Sequence, residues 1–149
     1  MASSFDLERF VEAQAQTYTR ARSELAAGRK RTHWMWFIFP QIAGLGLSGT
    51  AQRYSLSGPA EAEAYLAHDV LGARLRECTG LMNAVEGRAV GKILGYPDDL
   101  KFHSSMTLFG LVEGGVFAEA MQKYFAGKRD EGTIRLLECA NGRVGRYVT

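Results

Sequence analysis

One uninterrupted apolar run constrains the fold more than any other feature of the chain. Six consecutive apolar residues, from Trp34 to Phe39, include both tryptophans and two of the eight phenylalanines. A segment that is apolar on every side has to be enclosed by the rest of the protein. Polar residues, His33 and Gln41, flank the run. Two interpretations stay open, plain core or the floor of a ligand pocket, because pockets are mostly apolar with a few placed polar groups.

The rest of the chain shows helical periodicity. Apolar residues spaced three and four apart predict a first helix that is capped by Ser4 and ended by Gly28, with Gln14 on its inward face. The six apolar residues from Trp34 to Phe39 fit either a short helix or a buried strand. We predict a helix for this run because no partner strand is evident in the sequence. Ser48 is predicted to cap a short helix and Asp130 the last one. We therefore expect a mainly α fold, a compact bundle of about six to eight helices in one domain over residues 4–140, followed by a tail at 141–149.

The overall charge argues against several classes of partner. A net charge of +2 over 149 residues is too small to indicate nucleic acid or a membrane surface. No apolar run approaches the ~18 residues of a membrane span, and the N-terminus lacks a secretion signal. Cys78 and Cys139 show no metal spacing and are predicted to be buried free thiols. These features predict a cytoplasmic protein.

Several familiar site motifs are absent from the sequence. There is no Gly-rich phosphate loop ending in Lys-Ser/Thr, no Cys-x-x-Cys pair and no His-Glu-x-x-His. The three histidines are scattered along the chain, which argues against a three-histidine metal site. We therefore predict neither a metal nor a cofactor.

The richest polar cluster lies between Asp98 and Thr107. On a helix, Lys101 stands beside Ser104 and Ser105. One interpretation is structural, with Lys101 paired to Asp98 and the hydroxyls bonded to backbone. A second makes these residues an anion-binding face, with Asp98 as an acid–base candidate. A third, a Ser/Lys hydrolase, is disfavoured because the known Ser-x-x-Lys motif runs in the opposite order.

A set of segments along the chain forms a recognisable combination: Gln14 with Tyr18, His33–Gln41, Gly44–Gly46, Tyr65–His68, Leu71–Leu75, Lys101 and Ser104–Phe109. Together they resemble a bacterial family of unknown function whose members are sometimes labelled calpastatin. The resemblance extends over about residues 5–139 and implies a mostly helical fold without an established activity.

A second set of positions lies in the middle of the chain: His68, Leu71, Leu75, Thr79-Gly80, Val85-Glu86 and Asp98. At these positions the chain is similar to the NADAR superfamily, whose members act on ADP-ribose derivatives. The tryptophan-glycine that usually follows the acidic position in that superfamily is missing here, and Asp98 is farther from Glu86 than in the superfamily pattern. This resemblance implies a nucleotide-sugar ligand.

Two functional hypotheses follow. The first is a pocket that binds or hydrolyses an anionic nucleotide-type ligand such as an ADP-ribose derivative, in the manner of an N-glycosidase, where a carboxylate stabilises an oxocarbenium-like centre. Its catalytic candidates are Glu86, Asp98 and Lys101. Its ligand-binding candidates are Gln14, His33, Trp34, Trp36, Gln41, Arg74, Ser104 and Ser105. The alternative is a non-enzymatic protein-interaction domain. An exposed apolar patch well above a few hundred Å² would favour this alternative. The sequence predicts no oligomeric state.

Overall fold

The computed structural model describes residues 5–141. Within that range the chain forms ten helices and no strand, apart from a single parallel bridge between Ile42 and Leu56. The mainly α prediction is confirmed, with more helices than expected. The helices are α1 Glu8–Ala15, α2 Tyr18–Ala26, α3 Met35–Ile38, α4 Gly49–Arg53, α5 Pro59–Ala67, α6 Leu71–Ala84, α7 Val90–Leu94, α8 Asp98–Val112, α9 Gly115–Phe125 and α10 Glu131–Asn141.

Helix α8 is the centre of the fold. It packs against α3, α5, α7, α9 and α10. Its residues from Ser104 to Phe109 are all buried, although three of them carry hydroxyls. A helix that is buried on nearly all sides has to satisfy its polar groups internally. The Thr107 hydroxyl does so by donating to the carbonyl of His103 at 2.8 Å.

The aromatic run forms the one-turn helix α3 and packs against this centre. Trp34, Met35, Ile38 and Phe39 are buried, whereas Trp36 is half-buried. The Phe39 ring meets Phe102 of α8 edge to face, with ring centroids 4.9 Å apart. The predicted helix is therefore confirmed, and α3 has one side in the core and another that reaches the surface.

The predicted first helix is wrong in its continuity. The chain breaks at Gln16 and Thr17, which separates α1 from α2. The Thr17 hydroxyl donates to the Ala13 carbonyl at 2.8 Å, a local bond that competes with the helical pattern and bends helices. The predicted cap Ser4 lies outside the described residues, as does the predicted tail beyond Asn141.

Three other helix ends agree with the sequence. Ser48 Oγ accepts from Ala51 N and caps α4, while Asp130 Oδ2 accepts from Thr133 N at 3.0 Å and caps α10. Gly28, with φ of 74°, follows α2, a backbone conformation that glycine adopts without the steric cost of a Cβ. Helices α4 and α10 both contribute residues, Ala51 and Gly132, to the lining of one cleft.

Candidate functional site

A cleft of about 300 Å³ opens where four parts of the chain meet. The contributing parts are the aromatic run with the turn that follows it, helix α4, the start of α8 and the start of α10. The size is at the lower end of the range for small-molecule sites, about 300–1,000 Å³. We call it the Trp36 cleft; its lining residues are Trp36, Gln41, Leu45, Gly46, Ala51, Pro97, Leu100, Lys101, Ser104, Asp130 and Gly132.

One wall of the Trp36 cleft combines an aromatic face with a cation. The Lys101 Nζ lies 4.3 Å from the centre of the Trp36 ring, within the distance of a cation–π contact. Lys101 is in the first turns of α8 and Trp36 is in α3, so the packing of these two helices creates the pair. An indole face beside an ammonium group offers a planar surface and a positive charge to the same ligand.

The charge of Lys101 belongs to a small network behind the cleft. Asp98 Oδ1 lies 3.4 Å from Lys101 Nζ, and Asp98 Oδ2 lies 2.8 Å from Lys30 Nζ. Lys30 Nζ in turn lies 5.2 Å from the Trp34 ring centre. Two lysines share one carboxylate, so the network keeps one net positive charge. The structure thus contains the Asp98–Lys101 ion pair that the structural interpretation expects.

Asp130 adds a carboxylate side chain to the lining of the cleft. Its Oδ2 accepts from Thr133 N at 3.0 Å, from Thr133 Oγ1 at 2.6 Å and from Ser104 Oγ at 3.1 Å. Its backbone N–H donates to Thr107 Oγ1 at 3.0 Å. These contacts fix both the backbone and the side chain of Asp130. The sequence indicates Asp130 only as a helix cap. The available signal for a partner was the pair of hydroxyls of Ser104 and Thr107, which lie three residues apart and therefore on one face of α8.

The serines of α8 do not form a dyad with Lys101. The Ser104 hydroxyl lies between Asp130 Oδ2 and the Leu100 carbonyl, the latter at 3.2 Å. Ser105 is fully buried, and its Oγ has no hydrogen-bond partner among the described residues. Because neither hydroxyl is hydrogen-bonded to Lys101 in the described chain, the geometry gives no support to a Ser/Lys nucleophile.

Gln14 and Arg74 lie together in a separate network. Gln14 Nε2 donates to the Phe37 carbonyl at 2.7 Å and to Tyr65 Oη at 3.0 Å, while Gln14 Oε1 accepts from Arg74 Nη1 at 3.2 Å. The Arg74 guanidinium covers the Tyr18 ring at 4.6 Å from its centre. Burial raises the pKa of Tyr65 well above its usual range. This network joins four helices to the aromatic run, and Gln14 and Arg74 are not among the residues that line the Trp36 cleft.

Trp34 points away from the cleft and into the core. It is fully enclosed, and its Nε1 donates to Glu24 Oε1 at 2.9 Å. The same carboxylate accepts from Arg31 N at 2.7 Å and from both the N–H and the hydroxyl of Thr32. Burial alone would raise the pKa of Glu24, but these hydrogen bonds outweigh it and lower the pKa to about 2. Sequence reasoning missed Glu24, which appears in the sequence as an ordinary helix residue.

The remaining candidates are dispersed. His33 and Glu86 are exposed, and neither lines the Trp36 cleft. Of the candidate residues, the cleft therefore brings together Trp36, Gln41, Lys101 and Ser104, with Asp98 directly behind Lys101.

Other described features bear on the metal, thiol and membrane predictions. Between residues 5 and 139, no three His, Cys, Asp or Glu side chains come close enough to hold a metal ion. Cys78 is buried, and burial raises the pKa of its thiol to about 12. Cys139 is exposed, so the prediction that both thiols are buried is wrong for Cys139. In the part of the chain that is described, no helix has the length and apolar character that a bilayer crossing requires.

Over residues 5–141 the regular secondary structure is helical, and an aromatic, mixed-charge cleft lies where several of these helices meet. Over residues 4–137 the chain matches the family model described as "Protein of unknown function (DUF1810)". The chain belongs to this family, which confirms the predicted family of unknown function.

A solved structure supports the same assignment. The chain is similar to the conserved hypothetical protein Rv1873 from Mycobacterium tuberculosis. The two sequences are 54% identical, and the crystal structure of that protein superposes on this chain with a TM-score of 0.89. The match covers 91% of this chain and 98% of the other. No curated protein matches this chain.

Proposed function

We propose that the protein binds an anionic nucleotide-type ligand, such as an ADP-ribose derivative, in the Trp36 cleft. The observation that carries the proposal is the Trp36–Lys101 pair, an indole face with an ammonium group 4.3 Å from its centre. In the bound state a planar base stacks on the part of the Trp36 indole that Lys101 leaves open, and a phosphate takes the position beside the Lys101 ammonium group. Base–aromatic stacking contributes about 1–3 kcal/mol for each base.

The size of the cleft limits the part of the ligand that it holds. A volume of about 300 Å³ accommodates a nucleoside monophosphate and not a complete dinucleotide. A larger ADP-ribose derivative therefore places one nucleotide half in the cleft and extends the other into solvent. The unpaired side-chain amide of Gln41, which makes no hydrogen bond to any described residue, is available to the bound part.

The geometry favours binding over hydrolysis. Glycoside hydrolysis by the usual route uses two carboxyl groups, about 5–9.5 Å apart, on either side of the scissile bond. Among the described lining residues, Asp130 is the one carboxylate. Asp98 is held between two lysines behind the cleft, and Glu86 is exposed elsewhere. We therefore propose a binding site and leave glycosidase chemistry out of the proposal.

Titration with adenosine monophosphate and ADP-ribose tests the proposal. Ligand at 100 times its Kd stabilises the native state by about 2.7 kcal/mol, which raises the Tm of a domain of this size by roughly 5–10 °C. Stacking on the half-buried Trp36 should also quench its fluorescence, and Trp36→Phe should lose that response because Trp34 is enclosed. Absence of any Tm change at millimolar ligand would contradict the proposal.

Lysine variants locate the site. Lys101→Gln removes the charge beside the indole and should weaken binding at least about tenfold, since hydrogen bonds to charged groups are worth about 1.5–3 kcal/mol. Lys92→Gln is the matched control, because Lys92 is exposed on α7 and does not line the cleft. Equal affinities for both variants would place the ligand elsewhere on the protein.

The surroundings of the cleft favour a protein partner as the second candidate function. Leu47, Tyr96 and Leu100 are 84%, 81% and 52% exposed. Leu47 follows the lining residue Gly46, Tyr96 precedes the lining residue Pro97, and Leu100 is itself in the lining. An apolar rim of this kind is typical of a surface that another protein covers. Retention of one stoichiometric partner by the wild type, and its loss in Leu47→Gln/Tyr96→Gln, would support this candidate.

A further inference from the structure

We propose that Asp130 is a specificity-determining residue of the Trp36 cleft, and that its Oδ1 accepts hydrogen bonds from sugar hydroxyls of the ligand. This inference rests on the proposed function and names the ligand class more narrowly, as a ribose-type nucleotide and not a deoxygenated one. It concerns a residue that the sequence indicates only as a helix cap.

The two carboxylate oxygens of Asp130 have different surroundings. Oδ2 accepts from three donors: the Ser104 hydroxyl, the Thr133 N–H and the Thr133 hydroxyl. Oδ1 meets no hydrogen-bond donor among the described residues, while Asp130 is part of the cleft lining. One oxygen therefore holds the side chain in place, and the other is left as a strong acceptor for a group that enters the cleft.

Capping alone does not require a carboxylate at this position. Helix α4 in the same chain is capped by the hydroxyl of Ser48, and Ser and Asn are caps about as good as Asp. The negative charge of the Asp130 carboxylate repels an anionic ligand unless the ligand presents hydrogen-bond donors to that carboxylate. The hydroxyls of ribose are such donors, because they complement an acceptor-only carboxylate oxygen.

The position of Asp130 is also fixed by contacts within the protein. Its backbone N–H is bonded to Thr107 Oγ1 at 3.0 Å, and the Thr133 hydroxyl is 2.6 Å from Oδ2. An acceptor that is already oriented loses little entropy when a ligand binds. Loss of one ligand hydroxyl should therefore have a measurable effect on affinity.

The test compares ligands that differ only in their hydroxyls. Adenosine monophosphate and 2′,3′-dideoxyadenosine monophosphate share base and phosphate, so the ratio of their Kd values reports hydroxyl recognition. We expect the hydroxylated ligand to bind wild type at least about tenfold more tightly. Inosine monophosphate, which lacks the exocyclic amine of adenine, should bind like adenosine monophosphate if the ribose is the donor.

Asp130→Asn is the informative variant. Asparagine retains the size and the capping ability of aspartate, so its carbonyl oxygen can keep the contacts with Ser104 and Thr133. Its NH₂ group then replaces Oδ1 and cannot accept. The Kd ratio between the two adenine nucleotides should fall to nearly one, even if the loss of charge tightens or weakens both. Should Asp130→Asn be poorly folded, Asp130→Ser takes its place, because serine keeps a capping oxygen and has no second acceptor at the position of Oδ1.

The outcomes separate this inference from the proposed function. Equal affinity of wild type for the two adenine nucleotides would overturn the role of Asp130 and leave the Trp36 cleft as a nucleotide site. The role of Asp130 would also be overturned if wild type bound inosine monophosphate more weakly than adenosine monophosphate but bound the dideoxy ligand equally well. Absence of binding by every nucleotide would overturn both proposals. An unchanged ratio in folded Asp130→Asn would assign the discrimination to another residue and contradict the inference.

Discussion

Glu24→Gln tests whether one buried carboxylate anchors the segment that leads into the aromatic run. Glu24 is only 7% exposed, and its oxygens accept four hydrogen bonds from Arg31, Thr32 and Trp34. In the variant, the amide oxygen can keep the three N–H donors, and the amide NH₂ can donate to the Thr32 hydroxyl. The substitution therefore removes the charge while it preserves the geometry.

The expected loss follows from the pKa of Glu24. A pKa that is lowered from 4.5 to about 2 corresponds, at about 1.4 kcal/mol for each pH unit, to about 3 kcal/mol of stability at pH 7. Because the folded-state pKa lies below the unfolded one, this contribution is present above pH 4.5 and is lost as the pH falls toward 2. The variant lacks the titrating group and therefore lacks this pH dependence.

Urea denaturation followed by far-UV circular dichroism measures the effect. At pH 7, Glu24→Gln should lower the free energy of unfolding by about 2–3 kcal/mol. At pH 3.5, the gap between wild type and variant should be smaller by about 1.4 kcal/mol. The matched control is Glu119→Gln on the exposed side of α9, for which a difference below about 0.5 kcal/mol is expected. A gap that stays constant between pH 7 and pH 3.5 would refute the reasoning.

Four further substitutions test the packing and the polar networks, each by urea denaturation. In Gly72→Ala the new Cβ would lie 2.1 Å from the Leu66 carbonyl oxygen, so the free energy of unfolding should fall by about 2–3 kcal/mol. In the control Gly80→Ala, on the same helix, the new Cβ meets open space, and the free energy of unfolding should rise by about 0.5–1 kcal/mol. Gln14→Leu leaves the buried polar groups around it without partners and should cost about 2–3 kcal/mol. Asp98→Asn takes the charged partner from two lysines at once, one of them 7% exposed, and should cost about 2–4 kcal/mol. Losses below about 0.5 kcal/mol in the last two variants, or equal effects in the two glycine variants, would contradict the packing described.

Helix ends were predictable because their chemistry is local. Ser48 and Asp130 cap the helices that follow them, as their sequence positions indicated. The break at Thr17 was not predicted, because the apolar spacing continues across it and the decisive bond is from a hydroxyl to the Ala13 carbonyl. A pattern of apolar residues therefore predicts a helical face better than it predicts the continuity of the helix.

The candidate site was predictable only in part, since its contacts are long-range. Trp34 and Trp36 are equivalent in an apolar run, yet one donates to Glu24 in the core and the other lines the cleft. Asp130 meets Ser104 across 26 positions of sequence. The periodicity of a single sequence contains no information on such long-range side-chain contacts. These contacts decide which residues of the aromatic run lie in the core and which line a pocket, so the sequence left that choice open.

The core and the Trp36 cleft are physically continuous, because the same segments build both. Glu24 holds residues 31–34 by hydrogen bonds, the neighbouring Lys30 pairs with Asp98 at 2.8 Å, and Asp98 in turn pairs with Lys101. Each link in this chain of contacts joins groups of the protein itself. The ammonium group beside Trp36 is therefore positioned by the fold, which is the condition under which a small cleft binds a ligand without a large cost in ordering. Substitutions at Glu24 should for this reason weaken ligand binding as well as stability, although Glu24 does not line the cleft.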